Sequence, residues 1–168
     1  YPVVGHQVTL TASDLAAEQR FQILKGRADA KHCDLVLHGI LGGSVRGLLY
    51  LPETGRYQTA RFAESLTESD IQSAVAGGAV LTATAVYPGG GTRIAIDRDN
   101  DGGFDLDELD LGFDPLDPAS GPPFDAPAGL AGREVPSGVS LSWSPVTSAF
   151  FSIDGYNVYR STFSDGRT

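Results

Sequence analysis

Residues 34–51 read Asp-Leu-Val-Leu-His-Gly-Ile-Leu-Gly-Gly-Ser-Val-Arg-Gly-Leu-Leu-Tyr-Leu. Asp34 to Ile40 places Leu35 and Leu37 on one face and Val36 on the other, the alternation of a strand. Gly42-Gly43 is a turn signal, and Ser44 to Leu51 predicts the returning strand of a hairpin. Before this pair, Gly5 to Ala12 alternates Val8 and Leu10 with polar residues, predicting another strand. Ser13-Asp14 can cap a helix that runs through Leu24 or a little beyond. After the hairpin, Pro52 to Gly55 turns the chain and Arg56 to Phe62 is a weaker strand. Thr67 with Asp70 three residues on is an N-cap pattern. It opens a helix over Glu68 to Ala76 that Gly77-Gly78 ends. Val80 to Tyr87 predicts a strand, Gly89-Gly90-Gly91 a hairpin turn, and Thr92 to Ile96 a further strand. Residues 1–96 therefore read as a small α+β domain, a mainly antiparallel sheet with two short helices.

The next twelve residues, 97–108, are Asp-Arg-Asp-Asn-Asp-Gly-Gly-Phe-Asp-Leu-Asp-Glu. A twelve-residue calcium loop needs oxygen ligands at positions 1, 3, 5, 7, 9 and 12 and glycine at 6. Asp97, Asp99 and Asp101 fill positions 1, 3 and 5. Gly102 supplies the turn and Gly103 offers a backbone carbonyl at 7. Asp105 sits at 9, and Glu108 at 12 is the expected bidentate ligand. Phe104 is the apolar residue that can anchor the loop to a core. The expected cofactor is Ca2+. As read from sequence, a strand leads into the loop and a short helix leaves it, with Leu106, Leu109 and Phe113 on one stripe and Gly112 and Pro115 ending it. Without a helix on the way in, the pattern favours a calcium that stiffens a junction over one that swings two helices apart.

The charge agrees with a cation site. The chain has 21 acidic and 12 basic residues, a net charge of −9. Nine of those acids (Asp97, Asp99, Asp101, Asp105, Asp107, Glu108, Asp110, Asp114, Asp117) fall in residues 97–117, with Arg98 as the one base there. The acidity is local, and so many carboxylates in one loop repel one another unless a cation joins them. The 168 residues suit one or two small domains. Gly (21) and Pro (10) point to many turns and a β-rich chain. No apolar run approaches the ~18 residues of a membrane helix, and basic residues form no cluster for nucleic acid. Cys33 is the single cysteine, so no internal disulfide forms. No signal peptide is visible, and the chain reads as a mature or internal part of something longer.

Residues 97–118 form the calcium loop and short helix, and 119–126 are a Pro-rich, semi-rigid spacer. In 127–168, Val139, Leu141 and Trp143 alternate with serines up to Pro145. Tyr156, Val158 and Arg160 alternate with Asn157, Tyr159 and Ser161. Both runs predict strands.

Asp97 to Pro118, with Asp-x-Asp-x-Asp-Gly, then Asp-Glu-Leu and Gly-Phe-Asp-Pro, resembles the calcium repeats of bacterial extracellular proteins. Those are similar in style to thrombospondin type 3 repeats. Val-Ser-Leu-Ser-Trp at 139–143 and Gly-Tyr-Asn-Val-Tyr-Arg at 155–160 resemble strands B and C of a fibronectin type III domain. The segment 127–168 thus looks like a partial β-sandwich, short of the about seven strands such folds need. Val-Gly-His-Gln-Val-Thr-Leu-Thr (4–11), Cys-Asp-Leu-Val (33–36), Arg-Gly-Leu-Leu-Tyr (46–50) and Pro-Gly-Gly-Gly-Thr-Arg-Ile (88–94) resemble a tail module of large secreted bacterial proteins. Ala85 stands where such modules often have a second cysteine. The resemblance implies export and a multidomain parent, and it implies no reaction.

Other chemistry falls away. On a strand, His32 and His38 lie ~20 Å apart at ~3.3 Å per residue, with Cys33 facing the other way, so they share no ion. Gly89-Gly90-Gly91 lacks the Gly-Lys-Ser/Thr of a phosphate loop. No Gly-x-Ser-x-Gly elbow exists, and Asp105 with Asp107 as a hydrolytic pair competes with the calcium role of Asp105. The expectation is a non-enzymatic, calcium-stabilised structural or adhesion module of a secreted, cell-surface or periplasmic protein. Its partners are then calcium and either another protein or further domains of its parent chain, with no nucleic acid and no membrane insertion. One alternative is a subunit of a larger surface assembly, a fibre or an electron-transfer complex, bound through an exposed β edge. Another is a non-catalytic fragment of a secreted enzyme.

Overall fold

The computed structural model describes residues 2–121, 127–136, 138–146, 156 and 158. The chain divides into two compact units, Tyr1–Pro122 and Pro123–Thr168, and each is taken by itself.

The first unit is α+β. Its strands are β1 (Gln7–Leu10), β2 (Asp34–Leu41), β3 (Ser44–Leu51), β4 (Arg56–Thr59), β5 (Ser65–Leu66) and β6 (Leu81–Val86). They form one sheet in the order β1-β6-β2-β3-β4-β5, with antiparallel pairing throughout. The β2–β3 hairpin turns at Gly42 and Gly43, both in the left-handed region, where glycine carries no Cβ penalty. Helix α1 (Leu15–Asp29) starts at Asp14, whose side chain accepts from the Ala17 amide, and α2 (Glu68–Ala76) starts at a capping box between Thr67 and Asp70. The cap signals were local, and local chemistry realises them.

Both faces of the sheet are covered. On one, Ala17, Phe21, Leu24 and Ala28 of α1 and Ile71 of α2 bury Val8, Leu10, Leu35, Leu37, Leu48, Tyr50, Tyr57, Leu81, Ala83 and Ala85. On the other, Val36, Leu49 and Val86 pack with Ala60, Ala95 and Ile96 against the half-buried Leu51, Phe104 and Leu106. The alternation in β2 therefore serves two cores, with Val36 turned to the smaller one.

Four sequence expectations give way here. Residues Thr92–Ile96 are not a strand: Gly91–Ala95 is a short helix, α3. The reason is distant in sequence. Oδ2 of Asp34 accepts from the amides of Gly89 at 2.8 Å and Gly91 at 2.9 Å, turning the chain into a helical start. A Cβ on Gly47 would lie 2.0 Å from the Ala95 carbonyl oxygen, so only glycine in β3 lets α3 seat this closely. The Gly89–Gly91 turn accordingly joins a strand to a helix and is no hairpin. The acidic loop is thus flanked by short helices on both sides, α3 before it and α4 (Asp105–Leu111) after it. Finally, β4 stops at Thr59, short of Phe62. Nε2 of Gln58 donates to the Arg61 carbonyl at 2.7 Å and the Glu64 carbonyl at 2.9 Å, which bends 60–64 back toward β5.

In the second unit, β7 (Ala131–Val135) pairs with β8 (Gly138–Ser142) as an antiparallel hairpin. β8 contains most of the expected run around Val139 and Leu141. Trp143 is half-buried and meets Tyr156 edge-on, ring centroids 5.3 Å apart. The expected strand over 155–160 lies outside the described residues, except for Tyr156 and Val158.

Candidate metal centre

The loop begins where α3 ends. The amides of Ile96 and Asp97 both donate to the Thr92 carbonyl, at 2.9 and 3.0 Å. Ile96 enters the smaller core, and Asp97 beside it is buried, 3% exposed. The loop then winds around its own carboxylates. Asp97 accepts from the Asn100 amide at 2.7 Å through Oδ1 and from the Gly102 amide at 3.1 Å through Oδ2. Oδ1 of Asp99 accepts from the Asp101 amide at 3.3 Å, and Oδ1 of Asp101 from the Gly103 amide at 2.7 Å. Gly102 sits at φ +98°, the turn expected of position 6. One oxygen from each of Asp97, Asp99 and Asp101 lies within 4.8 Å of the others.

Glu108 supplies the decisive feature. It is 1% exposed, and neither carboxylate oxygen has a hydrogen-bond partner. Oδ2 of Asp99 is buried and unpartnered as well. A Cβ on Gly103 would meet Oδ1 of Asp101 at 3.0 Å and Cδ of Glu108 at 3.1 Å, so the carboxylates at positions 5 and 12 flank Gly103. Burial pushes the Glu108 carboxyl up to about 7, and the charges of Asp101, Asp99, Asp105 and Asp97 push the same way. Burial likewise raises Asp97; the Asn100 and Gly102 amides oppose the rise, and Asp101 and Asp99 add to it. A buried, unpaired carboxylate costs several kcal/mol, as an order of magnitude, unless a counter-charge meets it. Among the described residues, no basic side chain pairs with Glu108. A divalent cation bound by oxygens fits this donor set.

Asp105, assigned position 9, is placed differently from the other acids. Its Oδ1 accepts from the Arg98 amide at 2.9 Å and its Oδ2 from Arg98 Nε at 2.8 Å. It therefore braces the loop and, like Glu108, stands outside the three-aspartate group. Gly103 is buried between Asp101 and Glu108. Phe104 anchors the loop as the sequence suggests, packing on the smaller core and tilting against Phe62 at 5.8 Å. Of the apolar stripe in α4, Leu106 reaches that core, Leu109 is exposed and Phe113 is half-buried.

Sequence reading missed the groups that moor α4 to the sheet. The amide of Leu106 donates to the Ala60 carbonyl at 3.0 Å, and that of Asp105 to the Ile96 carbonyl at 2.9 Å. Oδ2 of Asp107 accepts from the Phe62 amide at 2.7 Å, while Arg61 pairs with Asp110 and lies 4.0 Å from Asp107. The available signal was charge arithmetic: Arg98 is alone among nine acids and so must serve one of them.

His32, Cys33 and His38 do not assemble. Cys33 is buried, His38 Nε2 meets the Ile94 carbonyl at 3.2 Å, and His32 lines an apolar groove of about 520 Å³ with Pro2, Val3 and Ile23. Among the described residues, the aspartate group is the one metal-capable cluster. No protein family, curated protein or solved structure matches this chain.

Proposed function

We propose that this chain is a calcium-stabilised structural or adhesion module of a secreted, cell-surface or periplasmic protein. In this reading residues 97–108 are an EF-hand-like loop and residues 127–168 are part of a fibronectin type III-like sandwich. The single observation that carries the calcium reading is the Glu108 carboxylate, buried without a partner beside Asp101. Calcium would be held by Asp97, Asp99, Asp101, the Gly103 carbonyl and Glu108, with Asp105 acting from the second layer through Arg98 or by way of water. The ion cancels the mutual repulsion of these groups and offsets the cost of burying them. The loop, Phe104 and α4 then stay against the sheet.

Calcium is favoured over magnesium because the donor set is large and carboxylate-rich, whereas magnesium demands octahedral geometry and keeps its water. Affinity is expected at roughly 10⁻⁴–10⁻³ M, the range of extracellular modules. The export reading rests on the resemblances of the sequence. Isothermal titration with Glu108→Gln tests the assignment. A lost primary ligand should weaken calcium by more than the roughly 10–100-fold typical of losing a supporting partner. Unchanged affinity would remove Glu108 from the site.

A further inference from the structure

The ten residues that follow α4 double back on the loop. Gly112, at φ +82°, reverses the chain, and the Phe113 amide donates to the Glu108 carbonyl at 2.9 Å. Two aspartates then fold the next residues into successive turns. Asp114 Oδ1 accepts from the Leu116 amide at 3.1 Å, and Asp117 Oδ1 from the Ala119 amide at 3.0 Å. Such side-chain turns are what Asp provides in place of regular structure. The Ser120 amide donates to the Asp117 carbonyl at 2.7 Å, and Ser120 Oγ accepts from the Asp114 amide at 2.9 Å, closing the circuit. Pro115 within this stretch is buried. The backbone arrives at Gly121, where an added Cβ would stand 3.0 Å from Oδ2 of Asp101.

We propose that Gly121 is a positioning residue of the cation site, and that residues 113–121 are a strap whose order is set by the metal. The inference rests on the calcium reading and deepens it. Oδ2 of Asp101 has room because residue 121 has no side chain. A cation holding Asp101 fixes one wall against which the strap closes. A side chain at 121 must displace that carboxylate, and a carboxylate already bound to metal cannot yield freely. Without the cation, Asp101 is repelled by Asp97, Asp99 and Glu108, and the strap loses its abutment.

The test uses the full chain as wild type, Gly121→Ala and Gly121→Val, with calcium chloride or a chelator. Calcium affinity is measured by calorimetry, the melting temperature is measured in chelator, and chymotryptic cleavage is followed after Leu116, which is 65% exposed on the strap. Gly121→Val should weaken calcium by about tenfold, at the lower end of what supporting positions contribute, and Gly121→Ala by less. Both should keep the wild-type melting temperature in chelator. Calcium should slow cleavage after Leu116 in the wild type and do so less in Gly121→Val. The proposal is overturned if wild type binds calcium but Gly121→Val keeps full affinity, or loses only chelator-state stability. It is overturned equally if calcium leaves the cleavage rate of the wild type unchanged. A wild type that binds no calcium at all is a different result, for it removes the calcium reading itself.

Discussion

On one face of the sheet, Phe21, Leu24 and Ile71 descend from α1 and α2 onto Leu35, Leu37 and Leu48. On the other, Ile96, Phe104 and Leu106 cover Val36 and Leu49. Within two residues of that second set along the chain lie the buried carboxylates Asp97, Asp105 and Glu108. The first face gains stability mainly from apolar area, at about 25 cal/mol per Å² buried. The second has a smaller apolar patch and sets ionisable groups beside it, and among the described residues only Asp105 of these has a cationic partner. On the calcium reading, one face is self-sufficient and the other needs the charge of the ion to keep what its apolar residues gain. Two helices of 15 and 9 residues cover the first face, and two of 5 and 7 residues the second. Short helices are marginal on their own and depend on what they dock against.

The largest effect is expected at Phe21, which is 2% exposed. Phe21→Ala should cost about 3–5 kcal/mol in chemical unfolding, the range for emptying a buried aromatic site. The loss should be the same with calcium or chelator, since this face owes nothing to the ion. A calcium-dependent loss would erase the distinction between the faces.

Next in size is removal of calcium. At 100 times the dissociation constant a ligand stabilises the state it binds by about 2.7 kcal/mol. Chelation of wild type should therefore lower the melting temperature by about 10 °C for a domain of this size. Glu108→Gln should melt at one temperature with or without calcium. In hydrogen exchange, chelation should speed the amides of Asp105 and Leu106 and leave those of β2 and β6 unchanged. Uniform acceleration across the sheet would mean that both faces depend on the ion.

A smaller effect is expected at Glu68 on the self-sufficient face. Burial pushes its carboxyl up, but hydrogen bonds from Lys25, Gln22 and Tyr57 and the Lys25 charge outweigh that, leaving it below the ordinary carboxylate range. A depressed acid lends stability above its unfolded value, about 4.3 for glutamate, and loses it as pH falls through the lower folded value. Acid unfolding followed by circular dichroism should be shallower below about pH 4.3 in Glu68→Gln than in wild type. Parallel curves would take Glu68 out of the balance.

The slightest change is expected at Arg61, half-exposed on the mooring of α4. Arg61→Ala should leave global stability near wild type, as exposed ion pairs do. It should raise hydrogen exchange at the Phe62 amide, which donates to Asp107. No change there would place the mooring wholly in the backbone contacts of Ala60 and Ile96.

Much of the first face was legible because its signals are local. Thr67 with Asp70 and Gly77 bound α2, and Gly42-Gly43 bound β2 and β3, all from neighbours a few residues away. The spacing of Asp97, Asp99, Asp101 and Glu108 was legible for the same reason. The helix α3 was not, because Thr92 to Ile96 alternates like a strand while its start is set by Asp34, 57 residues before Gly91. Gly47 fits that helix only once the sheet exists. β5, at two residues, is too short for any periodicity, and Ala131–Val135 in β7 carries no alternation. Burial of both Glu108 oxygens was also beyond the sequence, because it depends on how α4 docks. The same holds for the return of Gly121 to Asp101, which needs the turns at Asp114 and Asp117.

The most direct measurement is a crystal of the full chain grown with calcium, with anomalous diffraction data collected to locate the ion. One anomalous peak is expected within about 2.3–2.6 Å of oxygens from Asp97, Asp99, Asp101 and Glu108. A map in which those oxygens surround no such peak in a calcium-replete crystal would contradict the calcium reading.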